Sequence, residues 1–317
     1  MWNFYKRKKV AATATKRKYK YKIGLALSGG GAKGFAHIGA IKAFEEAGLT
    51  FDFISGTSAG SIVGALFAAG FSSESMEQLG KTIKESDIKN SKILLVPSKS
   101  ENIASLMRKF AGDISFKDLK IPFACCATDI SSGEEVILDK GQLAPAVAAS
   151  CSAPVFFDGI VLDGVRLVDG GLVNNIPADV VRRMGAEIVV SVSLNETGSE
   201  GTDSKNILNV LWATFAITMR STSYKGILNS DFLIRPNLKG FKATKLAGID
   251  EMIKAGYDAA KDQIPFVLEI LGEKIKKTKV KKPKKEKRIK DKKDEAENII
   301  KQDNIIEDKE IFESGEN

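Results

Sequence analysis

Two glycine-rich stretches and one aspartate carry most of the chemistry this sequence offers. Gly56-Thr57-Ser58-Ala59-Gly60 is a G-x-S-x-G pentapeptide, the sharp turn that lifts a serine hydroxyl off a strand end and aims it at a carbonyl carbon. A histidine usually activates such a serine. The chain holds one histidine, His37, which precedes the serine and falls in a helical stretch, so a Ser-His-Asp triad is disfavoured. His37 reads better as a helix residue that packs or tunes a neighbouring loop, and the base for Ser58 then has to be a carboxylate. Asp169, in Asp169-Gly170-Gly171, is a candidate, but Asp158-Gly159 and Asp163-Gly164 repeat the dipeptide and spacing alone does not choose among the three. Asp163 fits hairpin-turn chemistry, and Asp158 fits a loop.

The second stretch, Gly29-Gly30-Gly31-Ala32-Lys33-Gly34, contains G-x-G-x-x-G at positions 29, 31 and 34. A dinucleotide site would need an acid closing the second strand about 20 residues on. Here Asp52 opens that strand and the elbow serine occupies its end. The same backbone N–H groups, with a helix N-terminus behind them, suit an oxyanion hole for an acyl intermediate, and Ser58 downstream favours that reading. Cys125, Cys126 and Cys151 are odd in number and two are adjacent, so they suggest buried small residues in a reducing compartment, not a disulfide framework. With no second histidine and no acidic cluster, neither a metal nor a cofactor is expected.

These groups need a scaffold of strand ends and helix starts. Ile23 to Ser28 is a short apolar run that ends in the glycine cluster, and helical spacing follows through Phe35, Ile38, Ile41 and Phe44. Phe51 to Ser55 predicts the second strand, and Ser61 to Ala69 the helix leaving the elbow. Residues 72–120 are polar and helical around one apolar run, Ile93 to Pro97, which predicts a cap or lid inserted into the domain. Ile121–Thr128 and Glu135–Leu138 predict strands, Leu143–Ala149 a helix, and Ile160–Val168 a hairpin about Asp163-Gly164. A strand at Glu187–Leu194, a helix at Ile207–Ser221, a strand at Asp231–Arg235 and a helix over Met252–Ala260 complete the series. Strands alternating with helices predict an α/β domain on a mostly parallel sheet.

Charge separates this domain from its ends. The 317 residues carry a net charge of +8, yet residues 1–22 hold nine Lys/Arg and no acid, and residues 274–293 hold thirteen Lys/Arg and two acids. Residues 294–317 reverse the sign at −7, leaving residues 23–273 at −5. The basic ends suit anionic surfaces, and peripheral binding to an anionic membrane is expected in preference to any specific nucleic acid. Composition predicts a disordered, basic-then-acidic C-terminal tail over 274–317 and a basic N-terminal tail over 1–22. The apolar run after the N-terminal cluster is too short for a signal-peptide core, and the longest nearly apolar run, Ala59 to Phe71, is too short to span a bilayer. The expectation is a cytoplasmic protein, peripheral at the inner membrane surface.

Gly29 to Gly34, Gly56 to Gly60, Ala149-Ser150-Cys151-Ser152-Ala153-Pro154 with Phe156, and Asp169-Gly170-Gly171-Leu172-Val173-Asn174-Asn175-Ile176-Pro177 follow one another in a specific order. In that order they resemble the motif blocks of the bacterial patatin-like phospholipases, relatives of plant patatin and of the neuropathy-target-esterase catalytic domain, over residues 22–265. The resemblance implies a three-layer α/β/α fold with a mostly parallel central sheet, in a catalytic domain of residues 23–273 with its helical cap insertion at 72–120. It implies a catalytic dyad of Ser58 and Asp169, an oxyanion loop of Gly29, Gly30 and Gly31, and a Lys33 that helps settle a phosphate or the loop. His37 matches a position often filled by His without a catalytic assignment. The implied activity is hydrolysis of phospholipid or lysophospholipid esters through an acyl-serine, without metal or cofactor. A contrasting reading is a catalytically vestigial membrane-associated binding module that works through its polybasic ends; the intact Ser58, Asp169 and glycine loop weigh against it.

Overall fold

The first strand, β1 (Ile23–Leu27), alternates side chains between two packed faces. Ile23, Leu25 and Leu27 enter the main apolar cluster with α1 (Phe35–Glu46), α2 (Ala59–Ala68) and α9 (Ile249–Ile270). Ala26 packs instead with Val181 and Ala186, and a Cβ on Gly24 would lie 2.8 Å from the Cβ atoms of both. Val181 belongs to α7 (Ala178–Met184), so α7 covers the opposite face. This period-two division makes β1 buried on both sides and the domain three-layered. Each large apolar side chain so buried contributes about 1.5–3 kcal/mol before entropy is counted. The computed structural model describes residues 19–88, 97–195 and 207–272. The charged ends and most of the Ile93–Pro97 run lie outside the described residues.

β1 pairs in parallel with β2 (Phe53–Thr57) on one side and with β7 (Ile188–Val192) on the other. β2 continues in parallel to β3 (Phe123–Asp129), and β7 to β8 (Phe232–Ile234). Two strands pair antiparallel with β3, β4 (Glu135–Leu138) and β6 (Val165–Asp169), and β5 (Ile160–Leu162) pairs antiparallel with β6 in a hairpin, which returns it to the direction of β3. Their registers decide where the chemistry goes. β4 occupies Cys125–Thr128 of β3, overlapping both the β2 register (Phe123–Cys126) and the β6 register (Ala127–Asp129). Since a strand has only two edges, β2 and β6 must share the other one, end to end. Thr57 faces Cys126 and Asp169 faces Ala127, so the C-terminal ends of β2 and β6 meet one residue apart along β3.

The crossover from β2 to β3 carries α2, α3 (Ser73–Lys81), α4 (Glu85–Ile88) and α5 (Glu101–Ala111), which is where the sequence predicts a cap. α6 (Leu143–Ser150) follows β4, and α8 (Ile207–Leu228) stands between β7 and β8. Two boundaries differ from expectation. Tyr19, assigned above to the basic tail, is buried in the main core and its hydroxyl donates to the Gly48 carbonyl at 3.1 Å, so the folded unit begins before residue 23. α9 runs through Pro265 to Ile270 because Ile264 and Val267 on its inner face are buried, an apolar gain that outweighs the backbone bond proline removes. Among the described residues no helix is long and apolar enough to cross a membrane.

Candidate active site

Ser58 follows directly from β2 and precedes α2, with φ 52° and ψ −125°. This strained, left-handed φ is rare for a residue with a side chain, costs about 1–3 kcal/mol, and projects the hydroxyl away from both elements. Two glycines permit it. A Cβ on Gly56 would stand 2.4 Å from the Gly60 carbonyl oxygen, and one on Gly60 would stand 2.2 Å from the Leu27 carbonyl oxygen. The turn is tied from below: the Ser58 N–H donates to Ser150 Oγ at 3.0 Å, and its carbonyl accepts from Ser61 Oγ at 2.6 Å and from Cys151 Sγ at 3.1 Å.

Asp169 arrives from β6 as the N-cap of the Gly170–Leu172 turn and is fully buried. Its N–H donates to the Ser152 carbonyl at 3.0 Å and its carbonyl accepts from Thr128 Oγ1 at 2.9 Å, which fixes the backbone. Carboxylate Oδ1 accepts the Gly171 N–H at 2.8 Å. Oδ2 has no well-formed hydrogen bond; the Ser58 hydroxyl lies near enough to favour the ionised carboxylate while remaining off full hydrogen-bond geometry. Burial pushes the Asp169 carboxyl up to about 7, against the opposing pull of the Ser58 hydroxyl and the Gly171 N–H. A carboxylate held near neutrality is a far better proton acceptor than one in water.

The glycine loop sits beside them, but its three residues differ. The Gly29 N–H donates to the Asn175 carbonyl at 3.1 Å, so Gly29 cannot offer it to an oxyanion, contrary to the expectation from sequence. The Gly30 and Gly31 N–H groups have no hydrogen-bond partner among the described residues. Gly31 adopts φ +57°, and a Cβ there would approach the Ala243 carbonyl oxygen to 2.4 Å, which excludes other residues. Lys33 lies in the 3-10 turn Gly31–Gly34, half-buried, and does not line the cavity described below.

His37 forms no hydrogen bond with Asp169 or Ser58. It is fully buried on α1 with Nε2 2.8 Å from the Ser28 carbonyl, so the ring carries its proton on Nε2 and donates it. Burial pulls its pKa down to about 4, keeping it neutral. Ser28 in turn accepts the Leu194 N–H at 3.0 Å and donates to the Gly29 carbonyl, which also accepts from Asn195 Nδ2. His37 therefore braces the glycine loop, as its helical position suggested. The other aspartates have structural work: Asp158 Oδ1 accepts the Ser100 N–H at 2.8 Å, and Asp163 holds φ +49° in the hairpin turn. The three cysteines are free and buried, and burial raises each thiol well above its usual range.

Several supporting groups had no individual signal in the sequence. Thr222 Oγ1 on α8 donates to the Gly171 carbonyl at 2.7 Å, and Ala243 accepts the Ala32 N–H at 2.8 Å from a loop far along the chain. Ser150, Cys151 and Asn175 lay within recognisable blocks, so their neighbourhood was marked although their bonds were not. Ser58 and Asp169 open onto a cavity of about 430 Å³ whose walls include Ile62, Leu66, Met76, Leu106, Phe156 and Trp212. A pocket of that size with mostly apolar walls can hold an apolar chain beside Ser58 and Asp169.

Residues 25–182 match the family model described as patatin-like phospholipase. An uncharacterised NTE family protein of Mycobacterium tuberculosis is 35% identical over 183 residues, covering 56% of this chain and 49% of that protein. Neuropathy target esterase sws of Drosophila melanogaster is 30% identical over 273 residues, covering 74% of this chain and 19% of that protein. The chain thus spans about half the length of its mycobacterial relative and a fifth of the fly protein. The crystal structure of VipD from Legionella pneumophila superposes with a TM-score of 0.56 at 15% identity, covering 78% of this chain and 67% of that one, a likeness of fold. The matched stretch runs from the first strand past the turn that holds Asp169, and the chain belongs to the patatin-like phospholipase family.

Proposed function

We propose that this protein is a serine lipid acyl hydrolase that cleaves carboxylic esters of phospholipids or lysophospholipids with Ser58 as nucleophile and Asp169 as base. One observation carries the reading: a strained serine and a buried carboxylate with an uncommitted oxygen line the same largely apolar cavity. Ser58 Oγ attacks the ester carbonyl carbon while its proton passes to Asp169 Oδ2. The carbonyl oxygen gains negative charge within reach of the unpaired Gly30 and Gly31 N–H groups and the N-terminus of α2. Collapse of the tetrahedral intermediate expels the lysolipid or alcohol oxygen, which takes the proton from Asp169. Water then donates a proton to Asp169 and attacks the acyl-serine, releasing fatty acid and restoring both residues.

Family membership supports this chemistry, and the cavity's apolar walls support an acyl chain as the group held. Peripheral association with anionic membrane is part of the proposal and rests on the charge of the two ends. The test is product analysis on mixed phospholipid and lysophospholipid vesicles. Free fatty acid should appear with wild type and fall to background with Ser58→Ala; equal release by both would reject the assignment.

A further inference from the structure

The catalytic cavity has a second chemical feature at its rim, contributed by the loop between β8 and α9. Ala243, Thr244 and Leu246 line the cavity, and Thr244 is also exposed to solvent, which marks this loop as part of the opening. The same loop touches the oxyanion region, since the Ala243 carbonyl accepts the Ala32 N–H and stands against Gly31. The Lys245 N–H donates to the Lys242 carbonyl at 3.2 Å, closing a turn over residues 242–245. The ends of such a turn lie within about 7 Å at their Cα atoms. Lys242 and Lys245, both exposed, thus stand at the two ends of one turn, on either side of Ala243 and Thr244, which line the cavity.

Like charges so placed repel, and neither lysine forms an ion pair among the described residues. Of the acids beside this loop, Asp250 pairs with Lys81 at 2.6 Å, and Glu85, which also lines the cavity, accepts the Leu246 N–H through Oε1 at 3.4 Å. An anion lying between Lys242 and Lys245 would relieve the repulsion. In an ester bound with its acyl chain inside and its carbonyl at Ser58, the glycerol projects toward this rim, and in a phospholipid a phosphate follows the glycerol directly. The geometry points to an anion subsite, formed by Lys242 and Lys245, that receives the phosphate of a lipid head group while the ester is cleaved. The assignment rests on the acyl-hydrolase reading for the placement of the ester, and selects among ester substrates those carrying phosphate.

The test compares kcat/KM of the full chain on monomeric dihexanoyl phosphatidylglycerol and on neutral dihexanoylglycerol. The pair Lys242→Gln/Lys245→Gln should lower the ratio of the two by about tenfold, as expected for two exposed charge contacts, and Lys242→Arg/Lys245→Arg should largely restore it. An unchanged ratio, whether both rates fall together or neither falls, would overturn the subsite. Titration with octyl phosphate, which has no ester to cleave, keeps this separate from hydrolysis. Its affinity should drop in the Gln pair more than that of octanol even if no ester is turned over, and equal changes would again overturn the assignment. Inorganic phosphate provides the last arm. If it alone binds as tightly as octyl phosphate and is lost in the Gln pair, the site serves free phosphate and the lipid assignment is wrong.

Discussion

Replacing Asp169 with Asn should stabilise the fold as it abolishes activity, by an amount that depends on pH. Burial raises the Asp169 carboxyl from 3.8 to about 7, so folding favours its neutral form. Well below pH 3.8 the carboxyl is protonated whether folded or unfolded and contributes no penalty. As pH rises through the interval up to about 7 the unfolded chain ionises first, stability is lost, and above 7 the loss is complete. At about 1.4 kcal/mol per pH unit the full penalty is about 4 kcal/mol. Asparagine keeps an acceptor for the Gly171 N–H and carries no charge, so it escapes this term. Urea unfolding of wild type and Asp169→Asn at several values between pH 4 and 8 should give a stability difference that moves in favour of the variant as pH rises, by up to about 4 kcal/mol. His37, whose pKa is lowered to about 4, titrates in both proteins and cancels. A difference that stays constant over this range would refute the claim that Asp169 is a desolvated, functionally strained carboxylate.

Hydrolysis of a soluble short-chain ester should rise with pH through a midpoint near 7, because Asp169 must be ionised to accept the serine proton; a midpoint near 4 would contradict the buried base. His37→Gln should retain substantial activity, since an amide N–H can still donate to the Ser28 carbonyl, and loss equal to that of Ser58→Ala would return His37 to a catalytic role. Gly30→Val should lower kcat by about a hundredfold, since its Cβ would meet Leu194 Cδ1 at 2.8 Å and displace the N–H aimed at the oxyanion; normal turnover would remove Gly30 from that hole. Ser58→Gly should be more stable than Ser58→Ala by about 1 kcal/mol in thermal or urea unfolding, because glycine accepts φ 52° without strain, and equal stabilities would show the turn to be relaxed.

Much of this arrangement was visible in local patterns. β1 and β2 are short apolar runs that end in the glycine loop and the elbow, so the first two strand ends and the nucleophile could be placed from spacing. The choice of Asp169 over Asp158 and Asp163 was different in kind. It depends on β6 pairing with the last residues of β3 along the same edge that β2 uses, just past the end of β2, a pairing between residues distant in sequence that no periodicity encodes. The loss of Gly29 as an oxyanion donor has the same origin, since its partner, the Asn175 carbonyl, comes from far along the chain. The helix expected over Met252–Ala260 extends to Ile270 through Pro265, because burial of Ile264 and Val267 outweighs the local breaker. Ala243 had no signal at all: a small residue in a loop becomes part of the site only through where the backbone carries it.

Ser58 as nucleophile and Asp169 as the group that activates it are open to one experiment. Peptide mapping by mass spectrometry after exposure to a fluorophosphonate tests both roles at once. Wild type should carry a single phosphonyl adduct, on the peptide containing Ser58; that peptide should be unlabelled in Ser58→Ala, and labelling should slow by at least about a hundredfold in Asp169→Asn. An adduct on another residue, or equal labelling rates in wild type and Asp169→Asn, would contradict these roles.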